Sequence, residues 1–403
     1  MIPRFLLSGF VIFILTSCSG TYLHRAEQMR WHAKRGNFDR ALRIAQKKNV
    51  PKGDRLLSLL DEATLLQAAG RYEESNRVFM RAEEFVEAQA TQVVSKTASV
   101  IANDNIIPYH ARDFEKPLVD LYQTLNYLAL KEPQKALIEM RQIENRYVDY
   151  FKNVKKTYLQ DPFLKLTEAF VWEVNGKLND AYIDWKWLEK KEIQDPLIRE
   201  RLLMLCQKLG SLSQCQEWKR KYKEAIPRLL KKNEGELVVL LGSGSVPLKE
   251  STEGTNGLQI FPIPTYPSEL FDPLPIVIRV DQRETKAYLY HDLAMTVKEA
   301  LKDEIPEVIA RATARFAVKT GSAVALGTQV DEDLGILVGI LLLATNRADL
   351  RSWSTLPRSF QGAVIALPAG EHDVEIVSAD SNTVKRRVEI KSGEKTFFVE
   401  RFF

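Results

Sequence analysis

Gly36-Asn37-Phe38-Asp39-Arg40-Ala41 is echoed in kind by Gly70-Arg71-Tyr72-Glu73-Glu74-Ser75, 70 − 36 = 34 residues later. The echo returns further along, where Gly176-Lys177-Leu178-Asn179-Asp180-Ala181 is followed by Gly210-Ser211-Leu212 at 210 − 176 = 34. Between the two pairs, Lys131-Glu132-Pro133-Gln134-Lys135-Ala136-Leu137 repeats the pattern out of phase. Self-similarity at a fixed period of this size marks stacked supersecondary units. From Tyr22 to about Lys232, Gly and Pro are sparse and apolar residues recur at helical spacing, so each unit reads as two antiparallel helices. Glycine near the first helix's end takes the left-handed geometry that stops a helix. The aromatic or Leu two residues on, and the small Ala41, Ser75, Ala136 or Ala181, let the second helix press close. The broken central spacing leaves an irregular all-α domain as the competing reading.

A 34-residue helix pair is the tetratricopeptide period. The break in that period is a polar loop, Asn103-Asp104-Asn105 through Pro108-Tyr109-His110 to Asp113-Phe114-Glu115, entering a helix expected over Phe114 to Leu130. His110, Asp113 and Glu115 invite a metal or acid–base reading. Zinc wants three or four convergent ligands and no other His is near in sequence, so loop packing is preferred, with Asp113 as a helix cap. Cys206 and Cys215 flank the Gly210 turn. Antiparallel neighbours around so short a turn bring a disulfide within range, and two free buried thiols are the alternative. The basic run Lys219-Arg220-Lys221-Tyr222-Lys223 reads as the solvated face of a terminal helix.

Upstream of the repeats, Arg4 gives a positive start, Phe5 to Leu15 is an almost unbroken apolar run, and Leu15-Thr16-Ser17-Cys18 closes it with small residues and a cysteine. That order is a secretory signal, with an apolar core too short to span a bilayer. The tetrapeptide resembles the lipobox of bacterial lipoproteins. By that resemblance residues 1–17 are removed, the mature chain starts at lipidated Cys18, and Ser19 rather than Asp favours the outer membrane over the inner.

Downstream, the texture changes at Gly235. Short strands are expected over 236–291 and an apolar helical hairpin over 293–346, built from Leu293 to Phe316 and Leu334 to Ala344. Strands alternate again over 361–403, separated by turn residues, as an antiparallel meander. Gly242-Ser243-Gly244-Ser245-Val246-Pro247 looks like a phosphate loop but lacks the Lys-Ser/Thr ending and a following helix, so nucleotide binding is rejected. Asp349 and Arg351 beside Trp353 are read as an ion pair fixing a corner, a ligand pocket being the alternative. The fold class is therefore α+β: tetratricopeptide-like helical repeats over 18–232, then a mixed domain over 233–403 with an antiparallel meander and an inserted apolar hairpin.

Composition narrows function mainly by exclusion. A chain of 403 residues, 45% hydrophobic and 27% charged, is ordinary globular material. A net charge of +4 is too small to imply nucleic acid. No catalytic residue, metal ligand or cofactor is assigned. The lipobox, the repeats, the Asn103 to Glu115 loop, Leu125-Asn126-Tyr127-Leu128, and Ala348-Asp349-Leu350-Arg351-Ser352-Trp353 through Pro368-Ala369-Gly370-Glu371-His372 together resemble the poorly characterised tetratricopeptide lipoproteins of Gram-negative bacteria. The chain departs from that family at Gly242 to Pro247. The resemblance implies an outer-membrane, lipid-anchored location and hints at peptidoglycan work, because such genes lie beside those of lipoproteins similar to activators of penicillin-binding proteins. The expected function is a periplasmic scaffold whose helical-repeat groove holds a protein partner, with membrane contact through the Cys18 lipid. Rival readings are a subunit homo-oligomerising through the apolar hairpin, and an enzyme using Asp113, Glu115, Asp349 or Arg351.

Overall fold

The structure is a computed structural model that describes residues 18–47, 49–91, 108–152, 155–191, 193–223, 229–255, 260–327, 347–379 and 383–403. Among the described residues ten α-helices come first: α1 (Cys18–Ala33), α2 (Phe38–Ala45), α3 (Arg55–Ala68), α4 (Tyr72–Thr91), α5 (Lys116–Ala129), α6 (Pro133–Lys152), α7 (Pro162–Val174), α8 (Leu178–Glu189), α9 (Pro196–Lys208) and α10 (Leu212–Lys221). Each packs chiefly on its neighbours in sequence, which is the signature of a repeat stack.

One turn geometry recurs in all five hairpins. Gly36, Gly70, Gly176 and Gly210 have φ of 67–73°, and Lys131 takes the same left-handed conformation at 61°. In each turn the next residue's N–H bonds a carbonyl five residues back, as Arg71 does to Leu66 and Glu132 to Tyr127, both at 2.8–2.9 Å. Five residues after the turn residue sit Ala41, Ser75, Ala136, Ala181 and Cys215, the first four fully buried. The out-of-phase repeat is therefore a true member of the series, displaced by the long insertion after α4. The helix expected to start at Phe114 begins at Lys116, and Glu115 rather than Asp113 is its N-cap residue, making no side-chain cap bond.

The first helices of the three middle hairpins, α3, α5 and α7, are buried almost all round. Their second covering layer is the chain's own β structure: β1 (Glu234–Ser243), β2 (Glu250–Thr255), β3 (Ile260–Thr265), β4 (Ile276–Val280), β5 (Arg283–Lys286), β6 (Tyr288–Asp292), β7 (Ser359–Pro368), β8 (Gly370–Ser378), β9 (Thr383–Ile390) and β10 (Lys395–Arg401). They form a sheet ordered β10-β1-β7-β6, a second ordered β5-β4-β8-β9, and the β2–β3 hairpin. Val238 and Leu240 of β1 join Trp353, Phe360 and Val399 in a core continuous with the repeats. Leu237, Val239 and Leu241, on the opposite face, join Ile276, Ile278 and Val374 between the sheets. Helices, sheet and sheet thus make three layers around two cores. That sandwiching is why β1 reads as an unbroken apolar run rather than an alternation. Gly362 lets α7 approach β7, since a Cβ there would lie 2.9 Å from Leu166.

The expected meander is realised only as the β8–β9 hairpin. β7 and β10 instead flank β1, antiparallel and parallel respectively, because a strand buried on both faces needs a partner on each edge. The β2–β3 hairpin falls in the span 236–291 where short strands are expected, and only its polar strand β2 lacks the apolar alternation that would mark it. The first arm of the expected hairpin is one helix, α11 (Leu293–Gly327), running through Pro306 and past Gly321. Its second arm, 334–344, lies outside the described residues, and no helix among the described residues is long and apolar enough to cross a membrane.

Candidate functional site

The two stretches singled out in sequence, the loop around His110 to Glu115 and the Asp349–Arg351 corner, meet. They line one crevice of about 310 Å³ together with Lys249, Pro264 and the α11 residues Glu304, Glu307, Val308 and Arg311. The loop is pinned at one end by Tyr109 N–H donating to the Gly53 carbonyl at 2.8 Å. Glu115 organises the rest: it is 1% exposed, takes the Tyr109 hydroxyl on both oxygens at 2.7 Å, and takes Arg112 N–H at 2.8 Å. Arg112 then reaches out, donating to the Tyr109 hydroxyl at 2.7 Å and to Glu304 at 2.8 Å, so the loop is tied to α11. Asp113 is held by Lys116 Nζ at 2.9 Å, and His110 Nδ1 lies 2.8 Å from the Pro108 carbonyl.

Across the crevice Arg351 forks onto Asp349, Nε and Nη2 each at 2.8 Å, and its Nη1 reaches Asp54 at 3.1 Å. Burial works to raise the Asp349 carboxyl, but the Arg351 fork overrides it and holds it below the usual carboxylate range. Trp353 does not share the crevice. It is fully buried against Phe79 and Tyr122, with Nε1 donating to Thr64 at 3.1 Å. The corner continues inward through Ser354 and Thr355, which give Asp61 three hydrogen bonds of 2.9–3.1 Å, while Tyr22 donates to the Ser352 carbonyl. Asp61 sits mid-helix in a run of leucines, and nothing in its sequence neighbourhood signals a partner nearly three hundred residues away.

Lys249 is one of the crevice residues that sequence reasoning missed, with Glu304, Glu307 and Arg311 of α11. It is 2% exposed, and burial, with Arg112 adding to it, pushes its ammonium down to about 7. The segment before it is laid along the corner by Val246 N–H donating to the Leu356 carbonyl at 3.1 Å.

Other sites offer less. Cys206 and Cys215 are bonded, with Cα atoms 5.5 Å apart. Cys215 occupies the small-residue position of its hairpin, which accounts for the close approach. His291 pairs through Nδ1 with Asp161 at 2.7 Å and through Nε2 with Thr296 at 2.7 Å. That resembles a relay of base and hydroxyl, but the adjoining void is about 10 Å³, space for one water, and Asp161 is already capping α7. A groove of about 420 Å³ lies beside Lys131 and β10, and two of the charges lining it, Glu173 and Lys395, pair at 2.9 Å. Among the described residues no three His, Cys, Asp or Glu side chains gather as a metal site. Cys18 opens α1.

No protein-family model matches the chain, and no curated protein does. Among solved structures it is similar to MamA from AMB-1, at 10% identity and a TM-score of 0.33 over 50% of this chain and 90% of that one. MamA from MSR-1 gives 11% and 0.32, over 50% and 95%. A tetratricopeptide repeat protein from Parabacteroides merdae gives 13% and 0.23, over 51% and 80%. Likeness at this level carries no functional argument; the repeat assignment stands on the five matching turns.

Proposed function

We propose that this protein is a binding scaffold tethered through lipid on Cys18 to the periplasmic face of the outer membrane, where it holds a protein partner during envelope assembly or peptidoglycan synthesis. The tether is read from Leu15-Thr16-Ser17-Cys18. The observation that carries the binding role is the convergence of loop 108–113, α11 and the Asp349–Arg351 corner on one open crevice. The face lined by the first helices, where repeat proteins receive extended peptides, is filled here by β10, β7, β6 and the Trp353 corner. A partner therefore engages the crevice rim and not the repeat groove, which changes where the sequence alone would put it.

Two measurements test this. Cys18→Ala is expected to release the protein from the membrane fraction; normal leader processing with continued membrane association refutes the tether. A photo-cross-linking amino acid at His110 or Glu307 is expected to capture one common envelope protein, absent when it stands at exposed Leu212 on α10. Capture from Leu212 but from neither rim position refutes the crevice as the binding face.

A further inference from the structure

Every carboxylate lining the crevice is engaged by a cation or donor of the protein itself. Glu304 has Arg112, Asp349 has Arg351, and Asp113 has Lys116. Glu307 lies 4.0 Å from Arg311, and Glu115 behind the wall is saturated by Tyr109 and Arg112. Lys249 is different. It lines the crevice, it is 98% buried, and it makes no hydrogen bond or ion pair among the described residues. A buried ammonium without a partner is costly, and one that lines a cavity is placed to meet an anion there.

We infer that the crevice is a carboxylate-binding site in which Lys249 takes the carboxyl group of an amino acid or peptide end. The surroundings choose a carboxylate over a phosphate. Glu304, Asp349 and Glu115 all stand within electrostatic reach of the lysine, so a single negative charge is tolerated where a dianion is repelled. The same acids, with Glu307 and Asp113 on the rim, suit a cationic group elsewhere on that ligand. Pro108, Pro264 and Val308 supply apolar wall, and about 310 Å³ is at the lower end of small-ligand sites, enough for one or two residues. The lowered pKa of Lys249, about 7, fits this geometry, since an incoming carboxylate favours the protonated amine.

The inference rests on the crevice being a binding site, but it is tested with small probes, so its failure leaves the protein-partner reading standing and cross-linking failure leaves this one standing. The full chain in detergent is titrated calorimetrically at pH 6.5 with an acetylated basic dipeptide, its carboxamide, and inorganic phosphate. The free acid is expected to bind at least about tenfold more tightly than the amide, the worth of one charge-assisted hydrogen bond, with phosphate weaker than the acid. Lys249→Met should cost a similar factor, and Lys249→Arg should keep most of the affinity. Because Met removes an unpaired buried charge, that variant should melt at or above the parent temperature. Equal binding of acid and amide, tighter binding of phosphate, no binding at millimolar probe, or full affinity in Lys249→Met overturns the assignment. The acid–amide comparison needs no variant and holds even if Lys249→Met fails to fold.

Discussion

Replacing Trp353 with Ala tests whether the β half of the chain is locked into the repeats. The ring is fully buried, with centroids 5.6 Å from Tyr122 and 6.1 Å from Phe79. Its loss opens a closed site that held about 200 Å² of aromatic surface, or ~5 kcal/mol at about 25 cal/mol per Å². Partial collapse of the site and residual burial in the denatured chain reduce this, so the expected loss is about 4 kcal/mol, within the range for large aromatic truncations. Thr64, which loses the indole donor, keeps its own bond to the Leu60 carbonyl at 2.9 Å, so no buried hydroxyl is stranded. Urea unfolding followed by circular dichroism should show a lower midpoint and an unchanged slope, because the surface exposed on unfolding is the same. Trp353→Phe should recover more than half. A loss below about 1.5 kcal/mol for Trp353→Ala, or helices and sheets melting separately in the parent protein, refutes the shared core.

Three further outcomes follow from the same contacts. Lys131→Gly should stabilise by about 0.5–1 kcal/mol and Gly70→Ala should destabilise by about 1 kcal/mol, since both positions require left-handed backbone; chemical denaturation reads both. Arg201, which bridges Glu236 at 2.6 Å and Glu173 at 3.4 Å, should cost about 3–5 kcal/mol when replaced by Met, because it leaves two buried carboxylates sharing Lys395. Burial tends to raise the Glu236 carboxyl, yet Arg201 and Lys395 hold it below the usual range. Its stabilisation is therefore present above about pH 4.3 and lost as pH falls, and the acid-unfolding midpoint should move up in Arg201→Met. Glu139 has the opposite sign: burial, with Glu83 beside it, pushes it up to about 7, so it binds its proton more tightly folded than unfolded and weakens the fold as pH climbs from about 4.5 to 7. Glu139→Gln should raise Tm at pH 8 and leave it unchanged at pH 4.5.

Much of the architecture was legible because its causes are local. The left-handed turn residue, the small residue five positions on and the 34-residue echo are short-range requirements of a helix pair, so Gly36, Gly70, Gly176 and Gly210 disclosed the repeats directly. Even the Cys206–Cys215 bond uses that pattern's small-residue position. The apolar run of β1 announced a buried strand, though periodicity alone cannot say what buries it. What remained hidden depends on contacts between distant segments. Asp61 looks misplaced in α3 until Ser354 and Thr355 arrive to satisfy it, and Lys249 looks like any surface lysine until α11 and the Arg112 loop close over it. The sequence by itself determined that helix pairs stack and that strands follow them. Only the tertiary structure decided that those strands fill the repeat face and that loop 108–115 and the Asp349 corner share a crevice, because pairing and burial between remote residues are set by the packed chain and leave no period in its sequence.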